Sequence, residues 1–308
     1  MIVVACGDLP TVVAQSIVDH EIDSVLCDGC TQNVVRPAEQ PVHERPLKRY
    51  KPQPLQSIGM SAGWLSPLTD GDLGTQHVTV SVGTGIPLGS FQNIVAVTPS
   101  IRIDFVENAA RFAVPDHLYD IGVDLFYRRS LSDRISAMAI LRPSVRSDLS
   151  TSDQAFRLFG LALLTWQKVP DRLSVSAGVV YLDRSDLPVL PALGLKWTPN
   201  IRTAFDLRFP ESRISYRLRR VGNECEMWAF GSIGLGGNTW AITLPNGRTD
   251  EFTIRDLRLQ IGIEHQKDGG GGWFVQSGYA FARRLEFEQS AIEVEQDPGL
   301  ILEGGWRY

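Results

Sequence analysis

What the chain lacks narrows the field first. Across 308 residues no apolar run approaches the roughly 20 residues that a membrane-crossing helix needs. A mean hydropathy of −0.06 is also too polar for a helical membrane protein. Long basic runs are missing: the net charge is −5 and Lys48-Arg49-Tyr50-Lys51 is only a small cluster, so no nucleic-acid partner is expected. The four cysteines, Cys6, Cys27, Cys30 and Cys225, are too few and too unevenly placed for a disulfide scaffold. Met1 to Ser16 holds a short apolar run ending Val12-Val13-Ala14-Gln15-Ser16, but no basic residue precedes it and Asp8 interrupts it. A true start further upstream would account for the missing basic region. Val3-Val4-Ala5-Cys6 matches a lipid-attachment box over four residues only.

What is present is punctuation and alternation. Residues 1–56 read as a mostly unstructured N-terminal tail, a remnant export signal followed by a linker carrying Pro37, Pro41, Pro46, Pro52 and Pro54. From residue 57 to 308, Gly, Pro, Asn and Asp separate segments of strand length. Fifteen candidates lie near 57–65, 76–86, 93–105, 118–128, 134–146, 154–167, 172–183, 189–197, 201–208, 212–220, 225–233, 238–244, 251–265, 273–287 and 298–308. Leu173, Val175, Ala177, Val179 and Tyr181 share one face of their segment, opposite Arg172, Ser174, Ser176 and Gly178. Ile201, Thr203, Phe205 and Leu207 oppose Arg202, Ala204, Asp206 and Arg208 in the same way. Ile214, Tyr216 and Leu218 oppose Arg213, Ser215, Arg217 and Arg219.

Such alternation fits a soluble sandwich as well as a barrel. The strand ends favour the barrel. Trp64, Tyr119, Tyr127, Trp166, Tyr181, Trp197, Tyr216, Trp228, Trp240, Trp273, Tyr279 and Trp306 fall near segment termini, where interfacial aromatic girdles lie. Tight connections at 169–171 and 198–200 contrast with longer ones at 106–117, 147–153 and 288–297, the asymmetry of bacterial barrels. The chain ends Gly304-Gly305-Trp306-Arg307-Tyr308, an amphipathic strand free to pair with the first. A sheet without edges is one of two backbone solutions that a bilayer permits. The expected fold is therefore all-β: an antiparallel transmembrane β-barrel of about 12 strands, alternatively 14, in a bacterial outer membrane. Fifteen candidates exceed an even count, so at least one continues a neighbour or forms a loop hairpin.

Three segments carry a resemblance: Leu193-Gly194-Leu195-Lys196-Trp197-Thr198-Pro199-Asn200, Gly278 to Phe287 (GYAFARRLEF), and the terminal Gly304 to Tyr308. They resemble a domain-of-unknown-function family of predicted outer-membrane β-barrels from planctomycete-type bacteria, over about residues 57–308. The resemblance implies the barrel and is silent on activity. In the general C-terminal assembly signal of such barrels a Gly precedes the terminal aromatic by five residues; here that place holds Glu303, with the glycines shifted along, while Trp306 and Tyr308 keep the apolar positions.

Chemistry-bearing constellations are thin. His117 lies beside Asp116 and Asp120 in a loop setting, and no triad forms around it, His20, His43, His77 or His265. Cys27-Asp28-Gly29-Cys30 has metal or redox spacing without the further ligands or the βαβ context. Gly269 to Gly272 has no following helix to cradle phosphate. No catalytic residue, metal or cofactor is expected. The remaining candidate site is a set of lumen-facing charges: Arg102, Asp104, Asp124, Arg128, Arg202, Asp206, Arg208, Arg217, Arg219, Arg258 and Glu264. They either pair and close the lumen or line a wet pore. The leading expectation is a narrow pore or structural envelope protein; the alternatives are a lipid-modifying outer-membrane enzyme and a soluble or surface all-β binding module. Expected partners are outer-membrane lipids, the barrel-assembly machinery through Trp306 and Tyr308, and small solutes if a pore exists.

Overall fold

The computed structural model describes residues 44–89, 93–181 and 189–308. Met1 to Ser16, Cys6, His20, Cys27, Cys30, His43 and the end of the segment read over 172–183 lie outside them. The strands are β1 (Leu55–Pro67), β2 (Gly74–Pro87), β3 (Asn93–Glu107), β4 (His117–Ser130), β5 (Ile135–Ser147), β6 (Phe156–Val169), β7 (Leu173–Tyr181) and β8 (Val189–Asn200). Then follow β9 (Thr203–Arg208), β10 (Glu211–Val221), β11 (Cys225–Thr243), β12 (Thr249–Lys267), β13 (Gly272–Phe287), β14 (Ile292–Gln296) and β15 (Gly299–Arg307). One helical turn, α1 (Ala109–Phe112), sits between β3 and β4. No helix among the described residues is long and apolar enough to cross a membrane.

Each strand pairs antiparallel with its neighbours, and β15 returns to β1 from Gly59↔Arg307 to Pro67↔Gly299, closing the sheet. β14 and β15 lie on the same edge of β13 in one unbroken register, shown by Arg283↔Gln296 and Ala280↔Gly299. They form one strand interrupted at Asp297-Pro298, where proline supplies no N–H to the ladder. The ring is therefore an all-β closed barrel of fourteen strands, the larger of the two counts expected. Segments 225–233 and 238–244 are one strand, β11, and this merger brings fifteen candidates to fourteen. Glycines 234, 236 and 237 in that strand mimic a turn in the sequence.

Connections sort by end. Residues 131–134, 170–172, 201–202, 222–224 and 268–271 make short links at one end, called the turn end, where Tyr308 also lies. Longer links at 68–73, 108–116 and 148–155 crowd the other, the loop end. The outer face is apolar from strand to strand, with Leu193 69% and Ile261 66% exposed. Trp64, Phe105, Tyr119, Phe156 and Tyr181 ring the outside near the loop end, and Tyr127, Trp166, Trp197, Tyr216, Trp273 and Trp306 near the turn end. Two residues read as girdle members are not in it. Trp228 shares the inner row of β11 and donates to Glu226, and Trp240 is only 2% exposed.

Trp240 belongs to a cap. β11 and β12 overshoot the wall, and β11 bends at Gly237 (φ 98°), where a Cβ would sit 2.0 Å from the Ile254 carbonyl oxygen. Beyond the bend Ala241 bridges Ser147 of β5 in parallel, bypassing β6–β10. Asp148 fastens the crossing: its N–H donates to the Ala241 carbonyl (3.2 Å), and its carboxylate accepts the Thr243 N–H (2.8 Å). Beneath this hairpin Leu73, Val106, Leu118, Trp240, Ile242, Phe252, Ile254, Leu285 and Phe287 form an apolar core that closes the loop end.

At the turn end, residues 44–54 of the segment read as linker are fastened along the rim. Glu44 accepts from Arg217 (2.7 Å), Asp268 accepts the Lys48 N–H (2.6 Å) and pairs with Arg45 (3.3 Å), and Leu47 is buried. Lys51 lies over the Tyr308 ring, and burial pushes its ammonium below the usual lysine range. Proline-rich composition hid this strap because its partners lie some 170 to 220 positions away.

Candidate lumen site

Inward positions alternate with the apolar outer ones, so the inner face collects the charges of many strands. Three ionic groups result. In the first, Arg142 of β5 reaches across to β4, with Nη1 2.9 Å from Asp124 and Nη2 3.1 Å from Asp120. Arg146, two pleat repeats further on, places Nε 3.1 Å from the second Asp120 oxygen, and Asn238 from the cap hairpin touches both Arg146 and Asp120. A β-strand from the far side of the barrel thus completes this lattice.

In the second group, Arg102 forks onto Asp104 (2.7 and 2.9 Å), and Arg258 donates to Asp256 at 2.7 Å. Arg283 beside them donates to the carbonyls of Leu73 and Asp297, holding the β1–β2 connection and the break before β15. A cavity of about 20 Å3 lies among these residues, beneath Trp240, with room for about one water. In the third group, at the turn end, Glu226 accepts from Arg217 (2.9 Å) and Arg220 (2.6 Å), and Arg213 pairs with Glu264 at 2.7 Å while lying over Phe230. Arg157 and Glu251 join β6 to the cap hairpin near its tip.

The structure puts nine of the expected charges on inner rows: Arg102, Asp104, Asp124, Arg128, Asp206, Arg208, Arg217, Arg258 and Glu264. Asp206 pairs with Arg208 along its own strand. Two expectations are corrected. Arg202 occupies the two-residue turn before β9 and is exposed, because the strand begins only at Thr203. Arg219 is exposed because a bulge intervenes: Arg217 faces Trp228 but Arg219 faces Met227, so Leu218 is the extra residue and Arg220 resumes the inner row.

Asp120, Arg142, Arg146, Arg213, Glu226 and Asp256 carry the ion pairs yet were missed. The signal for Asp120 was its spacing of four from Asp124, an even number that keeps both on one face of β4. Arg142 and Arg146 flank Leu141 and Val145 in the same phase. His117 is exposed and meets the Phe105 ring edge-on. Among the described residues no cluster of three or more His, Cys, Asp or Glu forms a metal site.

The Arg217 hydrogen bond holds the Glu44 carboxyl below the usual carboxylate range. A depressed carboxyl contributes to docking above its free value and loses that contribution as pH falls through the lowered one. Hydrogen exchange over 44–51, corrected for intrinsic rates, should therefore rise on acidification; equal protection at neutral and acid pH would remove Glu44 from the anchor.

A family model described as "Domain of unknown function (DUF6268)" matches residues 102–294. No curated protein matches the sequence. Among solved structures, LpxR from Salmonella typhimurium is similar over 82% of this chain and 99% of its own, at 9% identity and a TM-score of 0.40. The β domain of the Bordetella autotransporter BrkA is similar over 83% and 99%, at 8% identity and a TM-score of 0.40.

Proposed function

The chain belongs to the family described as a domain of unknown function, DUF6268, a membership that brings no activity with it, and we propose that it is an outer-membrane barrel sealed along its axis. On this reading it is a structural envelope protein, neither a diffusion pore nor an enzyme. The observation that carries it is the paired, buried charge lattice under an apolar cap. A wet pore needs hydrated charges and a continuous gap, whereas Arg142, Asp120 and Asp124 are buried against one another and the cap core lies over them. The outer face supports the location: apolar side chains between two aromatic girdles suit a bilayer, and so large an exposed apolar surface is foreign to a soluble monomer. Lipids are thus the proposed partner of the outer face. The barrel-assembly machinery is the proposed partner of the last strand, where Trp306 and Tyr308 are exposed.

Refolded protein in a planar bilayer is expected to show no steady conductance, and cell fractionation to place it with outer membranes, with heat-modifiable gel migration. A stable open channel would overturn the seal. Recovery in the soluble fraction without detergent would overturn the membrane location.

A further inference from the structure

The fourteen-strand wall is uneven, and its low side faces an apolar part of the lumen. β9 has only six residues, and the two-residue Phe209-Pro210 link joins it to β10. Spanning strands run about 9–11 residues. Six residues at barrel tilt rise about 15 Å, against an apolar band of about 25 Å. The missing height lies at the loop end, because Phe205 of β9 stacks on Trp197 of the turn-end girdle at 5.1 Å. Phe209 then stands about 10 Å higher, near the middle of the band.

Both neighbours of the β9–β10 hairpin continue past it. The uppermost pair of β8 with β9 is Gly194↔Arg208, so Val189 to Leu193 are laddered to β7 alone. The uppermost pair of β10 with β11 is Glu211↔Gly234; above it β11 bends away to β5. Among the described residues a window is left in the wall between β8 and β11. Pro191, which offers the ladder no N–H, lies on its β8 edge.

The inner wall beside the window is apolar, above the Arg208 and Glu211 side chains that the crest of the β9–β10 hairpin turns inward. Leu163, Val180 and Ala192 form a buried inward cluster, with Met138, Phe159 and Leu161 packed against it. Outside, Leu207 and Phe209 are exposed, so the apolar outer belt reaches the crest of the hairpin, and this inner wall begins just above it.

We propose that this window admits the hydrocarbon chain of a membrane lipid, taken sideways from the leaflet at the loop end. The apolar inner wall takes the chain. The ester and glycerol oxygens of the same lipid supply acceptors for the backbone N–H groups along the free β8 edge, which hydrocarbon alone would leave unmatched. A polar solute matches neither surface, and the axial route to this wall is closed by the cap. The inference rests on the membrane location proposed above.

The test uses the full chain in liposomes doped with a phosphatidylethanolamine whose acyl chain carries a diazirine. After photolysis, adducts are mapped by mass spectrometry. Adducts are expected on the inner residues Phe159, Leu161 and Leu190 as well as on outer ones such as Leu193 and Phe209, and absent from Ser81 and Ser100 on the far inner wall. Adducts confined to the outer belt would overturn the window. Adducts nowhere would instead overturn the membrane location. Ala192→Trp, or Leu190→Trp if the first does not fold by heat-modifiable migration, should abolish the inner adducts and keep the outer ones. Inner adducts that persist in a folded variant would also overturn the proposal.

Discussion

Replacing Arg142 with alanine is expected to lower the stability of the barrel by about 3 to 5 kcal/mol, the scale for removing one partner of a buried ion pair. Arg142 is 6% exposed and serves Asp124 and Asp120 together. Asp120 would keep Arg146, but Asp124, also 6% exposed, would lose its ion-pair contact. Urea midpoints in lipid measure the loss. The double variant Arg142→Ala/Asp124→Ala should recover part of it, because the stranded carboxylate goes as well. Arg219→Ala, at an exposed position outside the lattice, should stay within about 0.5 kcal/mol of the wild type. An unchanged midpoint for Arg142→Ala would mean that water reaches Asp124, and the lumen would then be wet rather than sealed.

The inward rows were legible wherever period two ran without interruption. Val175, Ala177, Val179 and Tyr181 could be assigned to the outer face from the sequence alone, because each strand states its two faces locally. Three kinds of feature could not be read that way. A bulge changes phase without any change of composition, and so Arg219 stood in for Arg220. Glycines 234, 236 and 237 looked like the end of a strand, whereas a long strand needs Gly237 to bend inward across the lumen. Ile292 and Val294 were lost among acidic residues in a stretch read as loop, because their pairing depends on a register that β13 and β15 set between them. The charge lattice was half visible for a related reason. A sequence displays which residues share a face of one strand, but Asn238 meets Asp120 only because β11 crosses to β5.

That crossing also makes the cap a separable part. Gly237↔Arg255 is the register pair at which β11 leaves the wall; the hairpin from Asn238 to Ile254 lies beyond it, its β12 arm still laddered to β13 as far as Phe252↔Phe287. Joining Gly237 to Arg255 through Asn-Gly, a two-residue turn suited to an antiparallel pair, would leave the closure of β1 with β15 and the ladder of β12 with β13 below the cut intact. It would remove Trp240, Ile242, Phe252 and Ile254 from the core over the lumen, and Asn238 from the lattice. The truncated barrel is expected to keep heat-modifiable folding and to gain a steady conductance that the wild type lacks. Trp240→Ala separates loss of packing from loss of the seal. It should cost about 3 to 5 kcal/mol, as large-to-small changes in packed cores do, yet remain silent in the bilayer, since the Ala241 to Ser147 bridge still carries backbone across the opening. Silence of the folded truncation would move the seal from the cap to the ion pairs beneath it, and Arg142→Ala in the truncated background would then be the variant that conducts.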